Sequence, residues 1–392
     1  MVGKKILIVS KCPTHPVIAG NCKFIFNQVE LLKRMGNDVY FLFVQEKAFR
    51  RKNRGSDNTI EEMEKYWDDH LLVFNINFIN KLWIRFLEKY RARFNNGYLK
   101  CDDEYPWGFT HYVSDLQRKM KFDCCITNYY NMTKFLEKVH FPLTGITTHD
   151  YFSYKNLLIG EKKTWMATTP NEEAKGLQRS NNIFALNSEE AVFFSKLAPK
   201  SKIYNVYSTF DNIETPIVGN HSILYLSSSN QFSVNGLMWF LEEIFPSIVK
   251  RFNDVKLFVG GSICKTLKDT TLPANVKLFG FVENPCDFFK LADVSINPTY
   301  QGTGLKIKTF ESVAYGKVTM THPHSMVGIF NSKDAPVFAS INPTEWTNML
   351  EHIWNDIDSI RFLKKKNWNY INDMNSYVER QYSDFLQNNE MS

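Results

Sequence analysis

The sequence predicts two doubly wound α/β domains that face a cleft, followed by a helical tail. Short apolar runs of strand length alternate with amphipathic helical segments through both halves of the chain. A polar segment with Pro216 and Gly219 separates the two alternating series. The 392 residues are enough for two domains of ordinary size.

Composition narrows the classes of protein that need to be considered. The chain is 44% hydrophobic and 22% charged, which is a normal globular balance. Its formal charge of +6 suits anionic small molecules or a membrane surface, and is too weak to indicate nucleic acid without a clustered patch. Seven scattered cysteines without a CxxC motif support neither a disulfide framework nor a zinc site. No segment approaches the roughly 20 apolar residues of a membrane span, so we expect a cytoplasmic protein.

The first domain is predicted at residues 1–208. It opens on a buried strand at 5–10 (KILIVS), a loop at 11–21, a helix at 24–35 that ends at Gly36, and a second strand at 39–44. This βαβ unit lacks the GxGxxG motif of dinucleotide-binding folds. After an insertion at 46–108, strands are predicted at 124–128, 144–149, 182–187 and 202–207, and helices at 110–121, 132–139, 170–180 and 189–198.

The insertion is rich in basic and aromatic residues. It contains a basic run at 47–54 (KAFRRKNR) and a segment at 75–98 that mixes aromatic residues with lysine and arginine. A basic amphipathic segment of this kind can lie on an anionic membrane surface, which would place the protein at the inner face of a membrane. The alternative, which the sequence favours, is a helix with a solvated basic face and an aromatic face in the core.

The second domain is predicted at residues 222–342, after a linker at 209–221. The remaining residues, 343–392, form a helical tail that we expect to pack back towards the first domain. Strands are predicted at 223–227, 255–260, 276–282, 294–297, 318–321 and 336–340, and helices at 234–252, 285–291 and 305–315.

One stretch of the second domain, residues 296–317 (INPTYQGTGLKIKTFESVAYGK), combines a strand end, a glycine-spaced turn and a helix. The N-terminus of a helix exposes backbone N–H groups and partial positive charge, so such a turn can hold a phosphate. At 3.6 residues per turn, Gly304, Lys308, Glu311 and Tyr315 fall in one stripe, which puts a cation and a carboxylate beside the turn. The alternative is an ordinary surface pair between Lys308 and Glu311.

The second half resembles the GT-B glycosyltransferases, specifically the large retaining family 4 and its near relatives. Four segments carry the resemblance, in the family's order: LSSSNQFSVNGLMWFLEEI at 226–244, VKLFGFVE at 276–283, LADVSIN at 291–297 and GTGLKIKTFESVAYGK at 302–317. The first half matches more loosely, through KILIVS, THD at 148–150 and the stretch at 172–191.

The resemblance implies that a nucleotide-sugar binds the second domain and an acceptor binds the first. Glu311 matches the glutamate that accepts hydrogen bonds from the ribose, and Lys308 matches the basic residue that neutralises the departing diphosphate. Gly302, Thr303 and Gly304 would offer backbone N–H groups to the phosphates or the donor sugar.

Two departures from the family pattern bear on this site. Thr303 stands where many members carry a first glutamate, and the donor loop, with Asn230 and Gln231, lacks the usual basic residue. We therefore expect Lys308, helped by Lys306, to carry more of the phosphate charge.

In the first domain, the resemblance implies that His149 contacts the donor sugar or aids the attack, and that Asp150 orients it. A structural histidine at a strand end is the alternative. Gly20 and Asn21 match the loop that brings backbone amides near the diphosphate, and an ordinary strand–helix connection accounts for them equally well.

A metal site is not expected. The only Asp-x-Asp triplet, Asp356 to Asp358, falls in the helical tail, where residues two apart point in different directions. The acidic run from Asp102 to Glu104 has no histidine or cysteine cluster beside it. We expect no cofactor other than the nucleoside diphosphate sugar that serves as donor.

The sequence thus predicts a retaining, metal-independent glycosyltransferase of the hexosyltransferase type, acting in polysaccharide biosynthesis. Its donor would be a UDP-, GDP- or ADP-sugar, and its acceptor a hydroxyl of a glycan or a lipid-linked glycan, with no nucleic acid partner. Two alternatives remain open. One is a non-catalytic GT-B partner subunit, because the donor loop is substituted. The other is a GT-B-fold sugar-nucleotide 2-epimerase, which needs several cleft carboxylates that we do not identify.

Overall fold

The computed structural model describes residues 3–17, 20–45, 59–94, 97–159 and 167–388. The basic run predicted at 47–54 lies outside them. The chain divides into two compact units, Met1–Ser208 with Val378–Ser392 and Thr209–Tyr377. Each unit is built on one parallel sheet with helices, which confirms the predicted pair of Rossmann-like domains.

The sheet of the first unit has the order β3-β2-β1-β4-β5-β6-β7. The chain moves outward from β1 to β3 and then returns to place β4 beside β1, so the strand order reverses between β1 and β4. In open α/β sheets, the crevice at the carboxyl ends of the strands beside such a reversal is where ligands bind. The strands are β1 (Lys5–Ser10), β2 (Asp38–Gln45), β3 (Leu71–Asn75), β4 (Cys124–Asn128), β5 (Leu143–Thr147), β6 (Asn182–Ala185) and β7 (Lys202–Asn205).

Among the residues that the structure describes, seven α-helices lie wholly within the first unit. They are α1 (Gly20–Arg34), α2 (Thr59–Trp67), α3 (Phe78–Phe94), α4 (Phe109–Met120), α5 (Phe152–Ile159), α6 (Pro170–Leu177) and α7 (Ser188–Leu197). The segment predicted as a helix at 132–139 is instead a 3₁₀-helix, Tyr130–Glu137. The backbone amide of Lys138 donates to the carbonyl of Phe135, three residues back, at 3.0 Å. This is the spacing of the tighter helix.

The insertion predicted at 46–108 is partly a piece of the sheet. Its described part contains α2, a short 3₁₀-helix (Asp68–His70), β3 and α3. Strand β3 pairs in parallel with β2, from Phe41 opposite Leu71 to Gln45 opposite Asn75. The prediction of an irregular insertion was therefore wrong for this strand, which is a five-residue edge strand behind an acidic stretch.

The sheet of the second unit has the order β10-β9-β8-β11-β12-β13, and its strand order reverses between β8 and β11. Its strands match the predicted positions, with ends that differ by up to two residues. They are β8 (Ser222–Leu226), β9 (Lys256–Gly260), β10 (Val276–Gly280), β11 (Val294–Asn297), β12 (Val318–Thr321) and β13 (Val337–Ala339).

The helices that begin in the second unit include one irregular run. The helix predicted at 234–252 consists of two α-helices joined by one π-helical stretch, Phe240–Ile244, just before Pro246. Proline has no backbone N–H, so it cannot make the bond that would continue a regular turn. The α-helices are α8 (Gln231–Trp239), α9 (Phe245–Arg251), α10 (Ile263–Thr266), α11 (Pro285–Phe289), α12 (Ile307–Ala314), α13 (Pro343–Asn355) and α14 (Ile357–Gln387).

The last helix, α14, contributes residues to both units. In the second unit, Asn367 Nδ2 donates to the carbonyl of Lys317 at 2.9 Å. In the first unit, Gln28 Nε2 donates to the Tyr382 hydroxyl at 2.7 Å, and the Phe385 ring lies 4.8 Å from that of Phe184. None of the helices within the described residues has the length and apolar content to cross a membrane.

The predicted linker at 209–221 is bound to the second unit. Thr215 Oγ1 donates to the carbonyl of Tyr315 at 3.0 Å, and the amides of Val218 and Gly219 donate to the buried carboxylate of Asp293. The polar groups from which we predicted a linker therefore make hydrogen bonds to residues just after α12 and just before β11.

Candidate functional site

Strands β8 and β11 are parallel neighbours at the reversal of the second sheet, with Ile223 opposite Val294 and Leu224 opposite Ser295. This register places their carboxyl ends, Leu226 and Asn297, side by side. The loops that follow these strands, residues 227–230 and 298–306, therefore leave the sheet together. They are linked through α8, because Gln231 Nε2 donates to Asn235 Oδ1 at 2.7 Å and Asn235 Nδ2 donates to Gln301 Oε1 at 3.3 Å. The donor loop and the glycine turn predicted from the sequence thus meet at the position where this fold class binds ligands.

The turn before α12 needs its glycines. Gly302 and Gly304 have φ angles of +95° and +82°, in the left-handed region that favours glycine. A Cβ atom on Gly302 would also lie 3.2 Å from the ring of Phe232. The helix begins at Ile307, two residues later than predicted, so the turn is longer than the sequence indicated.

This turn has unused hydrogen-bonding groups. Among the residues that the structure describes, the backbone amides of Gly302, Thr303 and Gly304 donate to no other group. The Thr303 hydroxyl oxygen is buried in the same part of the chain and has no partner. Buried polar groups are nearly always paired in folded proteins, so the Thr303 hydroxyl, with the open amides beside it, indicates a place for a polar ligand.

A histidine that the sequence did not single out holds the turn. His324 Nε2 donates to the carbonyl of Gly302 at 2.8 Å, and Lys306 Nζ approaches the same carbonyl at 3.4 Å. Burial, and then the charge of Lys306, lowers the pKa of His324. His324 follows β12, the strand next to β11. A polar residue just beyond a neighbouring strand is the sequence signal that could have identified it.

Lys308 lies between the first turns of two helices. It is on the first turn of α12, and its Nζ donates to Ser233 Oγ on the first turn of α8 at 2.6 Å. Asn230 caps α8 by accepting a hydrogen bond from the amide of Ser233 at 2.9 Å. Because helix N-termini carry partial positive charge, the lysine and the two helices together create a positive potential suited to an anion.

Glu311 follows Lys308 by three residues on α12 and is partly buried. Burial, and then the nearby Glu311 carboxylate, raises the pKa of Tyr315. The ammonium of Lys308, in contrast, faces Ser233 and the ring of Tyr225, whose centroid lies 5.6 Å away. Lys308 therefore contacts Ser233 and Tyr225 and does not form the surface pair with Glu311 that was the alternative.

In the first unit, the predicted residues gather beside the reversal between β1 and β4. Asn21 Nδ2 donates to the Tyr129 hydroxyl at 2.9 Å, and the Tyr129 ring stacks on His149 with centroids 4.3 Å apart. Gly20 and Asn21 are the first residues of α1 rather than part of the preceding loop, which corrects the predicted helix start. The structure thus brings Asn21 and His149 together through Tyr129, which the sequence did not indicate.

His149 is held by Asn128. Its Nε2 lies 2.8 Å from Asn128 Oδ1, and because an amide oxygen only accepts, Nε2 carries the proton and Nδ1 is an acceptor. Burial lowers the pKa of His149 to about 3, so the imidazole is neutral at pH 7. Asp150 instead pairs with Lys155 Nζ at 2.6 Å. This corrects the prediction that Asp150 orients His149, since the ammonium of Lys155 takes up the Asp150 carboxylate.

Two buried glutamates support the backbone around His149. Glu173 accepts hydrogen bonds from the amides of Phe152 and Ser153 at the start of α5, at 2.9 and 3.0 Å. Glu190 accepts from the amide of Leu186 at 3.1 Å. Burial raises the pKa of Glu173 to about 7 and that of Glu190 to about 8. Their contacts are those of structural residues that fix the loop.

The acidic runs weighed as metal ligands have other partners. Asp102 binds Arg179 at 2.7 Å and Lys175 at 3.0 Å. Burial alone would raise the pKa of Asp102, but hydrogen bonds from these two cations lower it to about 2. Asp356 precedes α14 and accepts from the amide of Asp358 at 3.0 Å. The described part of the chain contains no group of three or more His, Cys, Asp or Glu side chains placed to hold a metal.

A cavity of 760 Å³ opens at the amino ends of β5, β6 and β7. Its lining includes Leu143, Asn182 and Lys202, and none of the site residues predicted from the sequence. Since open α/β sheets bind ligands at the carboxyl ends of their strands, we place no site there.

Comparison with known proteins adds a family and a fold. Residues 220–356 match the family model for glycosyl transferases group 1. No curated protein matches the chain. Several solved structures are similar to it over almost the whole length of both chains, and three of them illustrate the likeness.

The first is a mutant of S. aureus TarM in complex with fondaparinux, alpha-GlcNAc-glycerol and UDP, with a TM-score of 0.65 and 12% identity, covering 98% of this chain and 100% of that one. Anabaena HepE with UDP and glucose has a TM-score of 0.62 and 12% identity, with 98% and 99% covered. Sucrose-phosphate synthase from Thermosynechococcus elongatus has a TM-score of 0.67 and 11% identity, with 98% of each chain covered. At these identities the likeness establishes the fold. The chain therefore has the GT-B fold, and residues 220–356 in its second unit match the model of the group 1 glycosyltransferases, in agreement with the motifs of the sequence.

Proposed function

We propose that this protein transfers a sugar from a nucleoside diphosphate sugar to a hydroxyl of a glycan or lipid-linked glycan, with retention at the anomeric carbon. One observation carries the proposal. At the reversal of the second sheet, Lys308, the open amides of Gly302 to Gly304 and the N-terminus of α8 surround one place. Such a place suits a diphosphate.

The diphosphate would lie against the glycine turn. Lys308 now donates to the neutral hydroxyl of Ser233, and an incoming phosphate oxygen would be a stronger, charge-assisted partner. The amides of Gly302 to Gly304 and the Thr303 hydroxyl would supply further donors. Lys306, on the same loop, adds a second cation. These groups stabilise charge as it develops on the departing diphosphate.

Glu311 would accept hydrogen bonds from the ribose hydroxyls, one turn of α12 beyond the phosphates. Asn230 and Gln231 would border the donor from the α8 side. The UDP in the complexes of TarM and HepE makes a UDP-sugar the first donor to test, ahead of GDP- and ADP-sugars.

In the first unit, we propose that neutral His149 accepts a hydrogen bond at Nδ1 from a sugar hydroxyl. Asn21, Tyr129 and Asn128 keep its ring in place. The alpha-GlcNAc-glycerol and fondaparinux in the TarM complex support a glycan as acceptor.

In the transfer, the bond between the anomeric carbon and the phosphate oxygen breaks while the acceptor oxygen bonds to that carbon on the same face. The acceptor proton passes to the departing phosphate oxygen, so nucleoside diphosphate and a glycoside leave. We propose that no metal is needed, since Lys308 and the loop amides supply the charge, and that the reaction serves polysaccharide biosynthesis in the cytoplasm.

The test is incubation of the purified chain with UDP-, GDP- and ADP-sugars, with calorimetry for binding and with nucleotide release measured with and without EDTA. We expect one donor to bind, to release its nucleotide equally with EDTA, and to give a product with retained anomeric configuration by NMR. If no donor binds, the proposal fails. Binding without transfer to any glycan would favour a non-catalytic subunit, and interconversion of sugar epimers would favour an epimerase.

A further inference from the structure

We propose that α3 (Phe78–Phe94) docks the protein on the surface of an anionic lipid bilayer. The helix exposes an unusual set of large apolar side chains. Phe86 is 56% exposed and Phe94 67% exposed. The other members of this set are Phe78, Ile79, Leu82, Trp83 and Tyr90. We call it the aromatic stripe.

An ordinary amphipathic helix buries its apolar side, whereas α3 buries polar residues and exposes large apolar ones. The buried side includes two polar residues, Asn80 and Arg91, beside Ile84. Asn80 exchanges hydrogen bonds with the backbone of Trp107, at 3.1 and 3.4 Å, and Arg91 Nε lies 3.2 Å from Asp103 Oδ2. Polar contacts thus fix the helix to the first unit while its aromatic residues face outward. The favoured prediction, a helix whose aromatic face lies in the core, is therefore wrong.

The aromatic stripe is continuous. Ring centroids lie 5.6 Å apart for Trp83 and Phe86, 6.3 Å for Phe86 and Tyr90, and 5.0 Å for Tyr90 and Phe94. Trp107, which is 50% exposed, extends it from a neighbouring loop at 6.0 Å from Trp83. A helix of 17 residues is about 25 Å long, so the stripe forms an extended apolar ridge. Contiguous exposed apolar surface of this kind marks an interaction site.

The charge of α3 identifies the partner. Its sequence, FINKLWIRFLEKYRARF, contains five basic residues and one acidic residue. Lys81, Arg85, Lys89 and Arg93 recur every four residues and so follow one side of the helix beside the aromatic stripe. An interfacial helix inserts its apolar side among the acyl chains and places its cations at anionic headgroups, where Trp and Tyr also prefer to lie. A protein partner would not require this row of cations.

This inference does not depend on the donor site. It would, however, place a glycosyltransferase beside lipid-linked acceptors, a consequence that rests on the proposed function.

The experiment is co-sedimentation of the full chain with vesicles of phosphatidylcholine alone and of phosphatidylcholine mixed with phosphatidylglycerol. We expect binding to the anionic vesicles that weakens as salt is raised. Two double variants separate the contributions, Trp83→Ser with Phe86→Ser and Arg85→Gln with Lys89→Gln. Each should weaken binding by at least about tenfold, since each removes groups that contact acyl chains or headgroups.

A matched control is Phe362→Ser, which removes an aromatic side chain 68% exposed on α14 and should leave vesicle binding unchanged. Calorimetry with the nucleotide, and thermal unfolding, should be the same in all variants, which shows that they fold. Equal binding to both vesicle types, or unchanged binding by both α3 variants, would overturn the proposal. So would an oligomer of the wild-type chain that the α3 variants convert to monomer without any effect on vesicles, because the stripe would then bind a second copy.

Discussion

The two units reverse their strand order in the same way, yet the groups at the two reversals differ in charge and in hydrogen bonding. Beside β11, the second unit has the cation of Lys308, the turn of Gly302 to Gly304 with amides that donate to no described group, and a buried hydroxyl without a partner. Beside β4, the first unit has a neutral imidazole whose Nε2 is bound to Asn128 and whose ring is stacked on Tyr129.

Under the proposed function, the shared topology provides a place for a ligand in each unit, and the local charge decides which ligand suits it. A diphosphate needs cations and open N–H donors, and only the second reversal, among the described residues, combines them. A neutral sugar hydroxyl needs a fixed acceptor without charge, which His149 offers. Four experiments test this contrast.

The largest effect is expected for Lys308→Met in the second unit. Loss of a charge that stabilises the leaving group should lower kcat by about 10²- to 10³-fold, the range for removal of one preorganised donor. Steady-state kinetics with the donor identified by calorimetry would measure it. Lys306→Met is the matched control on the same loop and should have a smaller effect. If kcat of Lys308→Met stayed within twofold of the wild type, the proposal that the second unit holds the diphosphate through Lys308 would fail.

Glu311→Ala should act on binding more than on turnover. Hydrogen bonds to a charged group contribute about 1.5–3 kcal/mol, so affinity for the nucleoside diphosphate should fall by roughly ten- to a hundredfold. Calorimetry with the nucleotide alone measures this directly. Glu311→Gln keeps one acceptor oxygen and should lose less. Equal affinity in the alanine variant and the wild type would mean that Glu311 does not contact the ribose.

The substitution Asn128→Asp tests the proposed role of neutral His149 in the first unit. A carboxylate beside Nε2 would favour the imidazolium and raise the pKa of His149, so Nδ1 would gain a proton and cease to be an acceptor. Transfer should fall about tenfold at pH 7 and should acquire a pH dependence that the wild type lacks, while binding of the nucleoside diphosphate stays unchanged. Loss of nucleotide binding in this variant would break the separation between the two units.

The smallest effect concerns stability against pH. The folded pKa of His149, about 3, is below its unfolded value near 6.5, so the unfolded chain binds the proton more readily. The stabilising contribution is full above pH 6.5 and is lost as pH falls towards 3. Between pH 7.5 and pH 6 the wild type should lose about 0.8 kcal/mol more than His149→Gln does, measured by urea unfolding.

Glu173 and Glu190 have raised pKa values and act with the opposite sign, losing stability as pH rises from about 4.5 towards their folded values. The wild type and His149→Gln both contain these two glutamates, so their contribution cancels when the pH dependence of the two proteins is compared. An identical pH dependence in the two proteins would show that His149 is not held neutral by burial.

The sequence predicted the sheets and the glycine turn well, because these depend on local patterns. The predicted strands at 5–10, 124–128, 294–297 and 318–321 have the same limits in the structure. The partners of the site residues were not predictable in this way. The partners of His149, Asn21, Lys308 and Gly302 come from other strands, helices or loops, and no spacing in the chain encodes those contacts. They are Asn128, Tyr129, Ser233 and His324, in that order.

The helix α3 shows the same limit. Its periodicity indicates that one side is apolar, but not whether another element covers that side. Only the polar anchors at Asn80 and Arg91 reveal which side faces the first unit.

The division of α14 between the units has a consequence for biosynthesis. Phe385 and Tyr382 are fully buried parts of the first unit, yet the ribosome makes them after the whole of the second unit. While residues 209–377 are being synthesised, the rings of Phe184 and Tyr204 lack the cover of Phe385. Gln28 then lacks the Tyr382 hydroxyl, one of its two hydroxyl partners. Domains usually mature in the order in which they leave the ribosome. In this chain the first unit is synthesised first, but its fold can be completed only after the second unit has been synthesised.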